Sequence, residues 1–223
     1  MAEAARQKRT GAATAARSDA RTKAGQKGGR KRGTVNKELI MTIASAMFRE
    51  RGYDRTSLDD IATGLSITKP SLYYHFASKE EILLECISRG YILFQQKIAD
   101  RDDVRLSGRE RVRIFVEAYV DLLQDTVLSM IVADERVMSE AGKAKSRNYK
   151  RMLNRDLLER IEVGRKDGSL AFDDARIVAF GIFGMINWMT HWQSAALQIA
   201  PETVSEQFVS LILDGIGTSA RRT

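Results

Sequence analysis

The residues between Thr68 and His75 of this 223-residue sequence carry a dense set of hydrogen-bonding side chains. Donors of this kind, some of them on aromatic rings, suit contacts with the phosphate backbone and the base edges of a nucleic acid. Because Leu72 and Phe76 are apolar, the opposite face is expected to be buried. The outward face is predicted to comprise Lys69, Ser71, Tyr73, Tyr74 and His75, with Thr68 at its start.

Two short helices joined by a turn are predicted to position these side chains. Apolar residues recur at helical spacing from Leu58 to Leu65, and the pattern resumes at Leu72 and Phe76 after a few polar residues. Two helices arranged in this way predict a helix-turn-helix. Thr68 can cap the second helix, and Pro70 fills an early helical position that needs no N–H donor.

A longer set of residue types surrounds this motif. It comprises Thr56-Ser57, Ile61-Ala62, Leu72-Tyr73-Tyr74-His75-Phe76 and Ser78-Lys79-Glu80-Glu81-Ile82-Leu83. From about Asn36 to Leu84, the chain resembles the DNA-binding head of the TetR family of bacterial transcription regulators. It departs from such motifs at Ser66, where the turn usually has glycine. If Ser66 adopts a positive φ, we expect a strain of roughly 1 kcal/mol.

The resemblance implies an all-α protein in which a three-helix head is joined by a long fourth helix to a helical ligand-binding and dimerisation body. It also implies a repressor that binds a near-palindromic operator as a homodimer. Further DNA-contacting residues are then expected at Thr56, Ser57, Pro70 and Lys79. Three roles stay open: Thr56 could satisfy local backbone instead, Lys79 could be a plain exposed lysine, and Tyr74 could be structural.

The positive charge is concentrated in the first 33 residues. They hold ten Lys or Arg and two acidic residues, which leaves 26 basic and 27 acidic residues for 34–223. They contain no large apolar residue after Met1, so a disordered basic arm is expected over 1–33. Lys27, Arg30, Lys31 and Arg32 could follow phosphates or enter the minor groove. The alternative is a solvated leader with only nonspecific attraction.

Helical periodicity continues to the end of the chain, and no useful strand pattern appears. We expect a DNA-binding domain over 34–78 and an effector-binding and dimerisation domain over 79–223. A break is expected at 141–144, before a helix that ends near Gly168. The last two helices carry more apolar surface than one body needs, which predicts a partner subunit. The predicted interface comprises Phe180, Gly181, Gly184, Val204, Phe208, Leu211 and Ile212.

An apolar effector pocket is predicted between the helices of the body. Trp188 and Trp192 are one helical turn apart and share a face. The remaining predicted lining residues are Phe115, Tyr119, Met130, Met138, Tyr149 and Met152. The alternative is that the tryptophans belong to the core or to a dimer interface. The segment resembles that of TetR-type regulators which respond to acyl-CoA or lipid-derived ligands, with Arg147 or Arg151 as anchors; a multidrug-like ligand or none stays open.

Several classes of protein are disfavoured. The chain has two histidines, one cysteine and no glycine-rich phosphate loop, so we expect no enzyme, no metal site and no cofactor. The longest uncharged apolar run, 177–186, has half of the roughly 20 residues that a membrane span requires. We therefore expect a cytoplasmic protein without a membrane partner. Two alternatives remain: a nonspecific architectural DNA-binding protein that uses the basic arm, and a small-molecule-binding adaptor without operator binding.

Overall fold

Eight α-helices make up the described part of the computed structural model, which covers residues 35–125, 136, 138–192 and 199–215. No β-strand occurs in these ranges, and from Asn36 onward they belong to one compact unit. The helices are α1 (Lys37–Arg51), α2 (Leu58–Gly64), α3 (Lys69–Tyr73), α4 (Lys79–Ala99), α5 (Gly108–Asp125), α6 (Glu140–Lys166), α7 (Ala175–Trp192) and α8 (Pro201–Leu213).

Helices α1 to α3 form the head and close on a small core. The Asn36 side chain accepts a hydrogen bond from the Leu39 amide and starts α1, and Gly52, at a φ of 89°, follows its end. The buried side chains of the head include Ile40, Ala44, Phe48, Ile61, Leu72 and Phe76. Helix α1 packs on α2 and on α4, so α4 is held by the head as well as by the body.

Helix α5 lies at the centre of the body and packs against α4, α6, α7 and α8. Its buried residues include Phe115, Val116 and Val120. A Cβ on Gly108, at the start of α5, would collide with the backbone of Gly164 in α6. Glycine is therefore required there by the close approach of the two helices.

A buried ion cluster joins the α4–α5 connection to α5 and α6. Arg160, with a side chain 5% exposed, contacts Asp102 at 2.8 Å and Asp156 at 2.9 Å. Asp102 also pairs with Arg111 at 2.8 Å. Such a cluster fixes the packing of three segments because removing one partner would leave a buried charge without compensation.

Helix α6 begins earlier than the sequence pattern predicts, and the expected break at 141–144 is wrong. The Ser139 hydroxyl accepts a hydrogen bond from the Gly142 amide and caps the helix. A Cβ on Gly142 would collide with the Glu80 carboxylate, so this glycine marks a close approach of α4. Among the described helices, none has the length and apolarity that crossing a bilayer requires.

Candidate DNA interface and effector cavity

The predicted recognition helix presents its donors to solvent. The Thr68 hydroxyl caps α3 by accepting from the Ser71 amide, and Pro70 occupies the first turn. Leu72 is fully buried, whereas Tyr73 is 48% exposed. The sequence pattern suggested that the helix continues through Tyr74 and His75. In the structure it ends at Tyr73, and these two residues lie in the turn that follows.

Tyr74 is the most exposed aromatic residue of this surface, at 87%. Its ring meets the His75 ring edge to face, with centroids 5.1 Å apart. This exposure favours the contacting role for Tyr74 over the structural one. The predicted DNA-facing surface of the head therefore comprises α3 together with the turn that follows it.

Thr56 does not belong to this surface, and its expected phosphate contact is corrected. Its side chain is 1% exposed, and the hydroxyl donates to the Gly52 carbonyl at 2.9 Å. Thr56 therefore has the alternative role, in which its hydroxyl forms a hydrogen bond with the local backbone. The neighbouring Ser57 is exposed and forms a capping box with Asp60, whose carboxylate accepts from the Ser57 amide at 2.8 Å.

The two predicted lysine contacts are engaged within the head. Lys69 Nζ lies 2.7 Å from Asp59 Oδ2, and the ion pair raises the pKa of Lys69. Lys79 Nζ donates to the Tyr53 carbonyl at 2.8 Å and lies over the Tyr53 ring. To bind a phosphate, either ammonium group must leave its partner or donate to the phosphate through one of its remaining N–H groups.

Ser66 adopts a φ of 55°, so the condition for a strained turn is met. Its amide donates to the Thr63 carbonyl, and the Ile67 amide donates to the Ala62 carbonyl. This pair of bonds is a Schellman ending, in which glycine is usual because the left-handed conformation brings its Cβ no clash. The turn retains the geometry that places α3 against α2.

A cavity of about 290 Å³ lies in the body between α4, α5, α6 and α7. Its polar lining includes Tyr119, which is 4% exposed and donates to Asn187 Oδ1 at 2.8 Å. Burial raises the pKa of Tyr119, so its hydroxyl stays protonated. The other lining residues are Ile87, Leu122, Leu123, Ser146, Tyr149, Lys150, Leu153, Asn154, Phe180 and Phe183.

The cavity includes two of the predicted pocket residues, Tyr119 and Tyr149. Phe115 is fully buried behind Tyr119, with the two rings 6.0 Å apart, and Met138 is buried outside the cavity lining. Met152 lines an open groove between α4 and α6 that adjoins the cavity at Tyr149. Met130, the side chain of Trp192 and the arm over 1–33 lie outside the described residues.

Trp188 is wrongly predicted as a pocket residue. It is 62% exposed and stacks on the His191 ring, with centroids 4.4 Å apart. It shares an exposed stripe of α7 with Ile177 (71%) and Phe180 (68%). The cavity lining instead includes the polar residues Lys150, Asn154 and Asn187. Of these, only Asn187 had a signal in the sequence, because it is a polar residue within the apolar α7.

The predicted dimer-interface residues divide into two groups. Gly181 and Gly184 are exposed and continue the α7 stripe, with nothing within 4 Å of an added Cβ among the described atoms. Leu211 is also exposed, at 39%. In contrast, Val204 is 5% exposed and belongs to the core, which corrects its assignment. Phe208 and Ile212 are partly buried and pack against that core.

One contact joins the start of α4 to the start of α6. Glu80 Oε1 accepts from the Ser139 amide at 2.9 Å and from its hydroxyl at 2.7 Å. Glu80 is in the first turn of the helix that leaves the head, and α6 supplies five residues of the cavity lining. Nothing local in the sequence pairs residues 59 positions apart.

A helix-turn-helix with exposed donors, joined to a helical body that contains a cavity, defines a DNA-binding regulator of transcription. Residues 40–86 match the bacterial regulatory proteins of the tetR family, and residues 105–216 match the tetracyclin repressor-like C-terminal domain. The chain therefore belongs to the TetR family. The predicted family, fold class and regulator function are confirmed.

Individual proteins resemble most of the chain. It is 30% identical over 195 residues to the HTH-type transcriptional repressor KstR2 of Rhodococcus jostii, covering 80% of this chain and 90% of that protein. PfmR, a TetR family transcriptional regulator from Thermus thermophilus, matches with a TM-score of 0.71 at 25% identity, over 80% and 99% of the two chains. AibR in complex with isovaleryl coenzyme A and operator DNA has the same fold, with a TM-score of 0.69 at 22% identity over 79% and 97%.

Proposed function

We propose that this protein is a cytoplasmic, homodimeric repressor that binds a near-palindromic operator and is released by a small apolar or acyl-CoA-like effector. The observation that carries the proposal is that one helix, α4, packs on the head and also lines the cavity through Ile87. A ligand that alters the position of α4 would alter the position of the head. Such a ligand shifts the equilibrium by its differential affinity for the two arrangements.

On the DNA side, α3 would enter the major groove, and the two heads of a dimer would meet successive grooves roughly 34 Å apart. The residues that would contact DNA directly are Ser71, Tyr73, Tyr74 and His75. Lys69 would break its ion pair with Asp59 to contact the DNA. The match to a named repressor over most of the chain supports repression over activation.

The dimer would form through the exposed stripe of α7. Ile177, Phe180 and Trp188 lie on one face at helical spacing, and Gly181 and Gly184 allow close approach of a second helix. A contiguous apolar patch of this kind marks an interaction site. Regulators of this family are dimers, which supports a second copy of the chain as the occupant.

On the effector side, the cavity is at the small end of the roughly 300–1,000 Å³ that ligand pockets span. It would hold the acyl part of a thioester, with the coenzyme outside. Lys150 lines the cavity and is exposed, so it replaces Arg147 and Arg151 as the expected anchor for an anionic group. The solved complex of AibR with isovaleryl coenzyme A supports this class of effector.

The test is selection of a binding site from random double-stranded DNA, followed by fluorescence anisotropy with the selected site. Lys69→Ala and Tyr73→Ala should each weaken specific binding about tenfold or more, because each removes a base or phosphate contact. Lys97→Ala, which removes an exposed lysine of the body paired with Asp121, is the matched control. Unchanged specific binding in both head variants would refute the assignment of α3.

The same titration separates the two rival functions. An architectural protein driven by the arm would select no sequence, and deletion of residues 1–33 would abolish its binding. An adaptor would show no operator binding at all. If the deletion leaves the salt dependence of operator binding unchanged, the arm makes no phosphate contacts.

A further inference from the structure

The cavity lining contains a polar pair, Tyr119 and Asn187, that a purely apolar effector would not contact through hydrogen bonds. Tyr119 donates to Asn187 Oδ1, which leaves the Asn187 amide hydrogens to line the cavity. Among the described residues, that NH₂ group has no hydrogen-bond partner. An apolar ligand placed against it would exclude water from the donor and supply nothing in return, which is unfavourable.

The chemistry of the pair narrows the ligand group that it would accept. The Tyr119 hydroxyl is neutral because burial raises its pKa, and Asn187 is uncharged. A carboxylate at this depth would lack a cation, and burying it would cost far more than burying a neutral oxygen. A ketone or hydroxyl oxygen accepts from the amide without that cost.

The rim of the cavity differs from this inner part. Lys150 is exposed there, and Asn154 lies one turn further along α6. An anionic group is therefore accommodated at the rim and excluded from the inner part. The cavity has about 290 Å³ of space, so it fits a short ligand group. Such a group would be anionic at the rim and neutral in the inner part.

We propose that the Tyr119–Asn187 pair selects an effector whose apolar group carries a neutral oxygen, as in a keto-acyl or hydroxy-acyl thioester, over a plain hydrocarbon acyl thioester. The inference rests on the proposed effector site and specifies the class of ligand that fills it. Asn187 is a specificity-determining residue in this arrangement.

The test compares octanoyl-CoA with its ω-hydroxy and (ω−1)-oxo derivatives by isothermal titration calorimetry on the full chain. The wild-type protein should bind an oxygenated derivative about two- to tenfold more tightly than octanoyl-CoA, the range of one neutral hydrogen bond. Asn187→Leu should abolish or reverse that preference. Asn148→Leu, the same change on an exposed position of α6 outside the cavity, should preserve it.

Tyr119→Phe provides a second variant if Asn187→Leu fails to fold, which thermal unfolding followed by circular dichroism would reveal. It keeps the ring and frees the Asn187 side chain to rotate, so the preference should shrink while octanoyl-CoA affinity holds. Equal binding of all three thioesters by the wild-type protein would overturn the inference and leave the proposed effector class intact. No binding of any thioester would overturn both, and operator binding, measured separately, would still test the regulator function.

Discussion

The Glu80–Ser139 contact is predicted to transmit effector binding from the cavity to the head. Glu80→Ala removes both hydrogen bonds to Ser139 and leaves the cap of α6 in place, because the Ser139 hydroxyl still accepts from Gly142 at 3.2 Å. In the variant, a movement of α6 on effector binding would no longer pull the first turn of α4.

The magnitude follows from the contacts that are lost. Hydrogen bonds to a charged group contribute about 1.5–3 kcal/mol. Ser139 is exposed, so solvent weakens the pair, and we expect a contribution at or below the lower limit of that range, about 1–1.5 kcal/mol. That free energy corresponds to a roughly five- to tenfold loss of coupling between effector and DNA.

The assay is fluorescence anisotropy of labelled operator DNA with and without a saturating thioester effector. The measured quantity is the operator dissociation constant with effector divided by that without effector. This ratio should fall roughly five- to tenfold in Glu80→Ala. Ser107→Ala is the matched control, because the Ser107 hydroxyl caps α5 by accepting from the Glu110 amide at 3.2 Å without touching α4. It should cost about 1 kcal/mol of stability and leave the ratio unchanged.

An unchanged ratio in Glu80→Ala would refute this route of transmission. So would an equal fall in Ser107→Ala, because the effect would then come from general loss of stability. A fall in operator affinity without any change in the ratio would place Glu80 in the structure of the head and not in the coupling.

Three further predictions concern the dimer, the turn and the ion cluster. Phe180→Glu should yield monomers in sedimentation velocity, whereas Val104→Glu, which alters an 88% exposed residue off the α7 stripe, should leave the dimer intact. Ser66→Gly should raise the free energy of unfolding by about 0.5–1 kcal/mol, measured by urea denaturation, because glycine relieves the positive φ. Partial burial raises the pKa of Asp102, but hydrogen bonds and charge from two arginines outweigh it and lower the pKa below 3.8, so its stabilising contribution is present above that pH and lost as pH falls below it. Asp102→Asn should therefore destabilise the protein at neutral pH, because Arg111 and Arg160 lose their shared carboxylate, and should flatten acid denaturation. Asp156→Asn should cost less, because burial raises the pKa of Asp156 more than Arg160 lowers it and Arg160 keeps Asp102 as a partner.

The head could be predicted from sequence in detail because its signals are local. Capping at Thr68 and the apolar positions Leu72 and Phe76 depend on residues a few positions apart, and the structure has each of them as expected. The length of α3 was the exception. The regular helix ends at Tyr73, although the Tyr74 amide still donates to the Pro70 carbonyl and His75 lies in the turn that follows.

The body could be predicted as helical, but the environment of each helical face could not. Helix α7 is apolar nearly all round, so periodicity gave no direction. Packing on α5 buries Ile182 and Ile186 and leaves Phe180 and Trp188 exposed. The position of Trp188 on the outer stripe follows from which face of α7 packs on α5 and α6, which sequence spacing does not encode.

The sequence alone determined the family, the all-α class and the exposed residues of α3, because helix caps and short-range periodicity specify them. Only the tertiary structure decided which polar groups meet across long separations. It buried Thr56, placed Asn187 beside Tyr119, and brought Glu80 to Ser139. These pairings depend on how helices cross, and no local pattern carries that information.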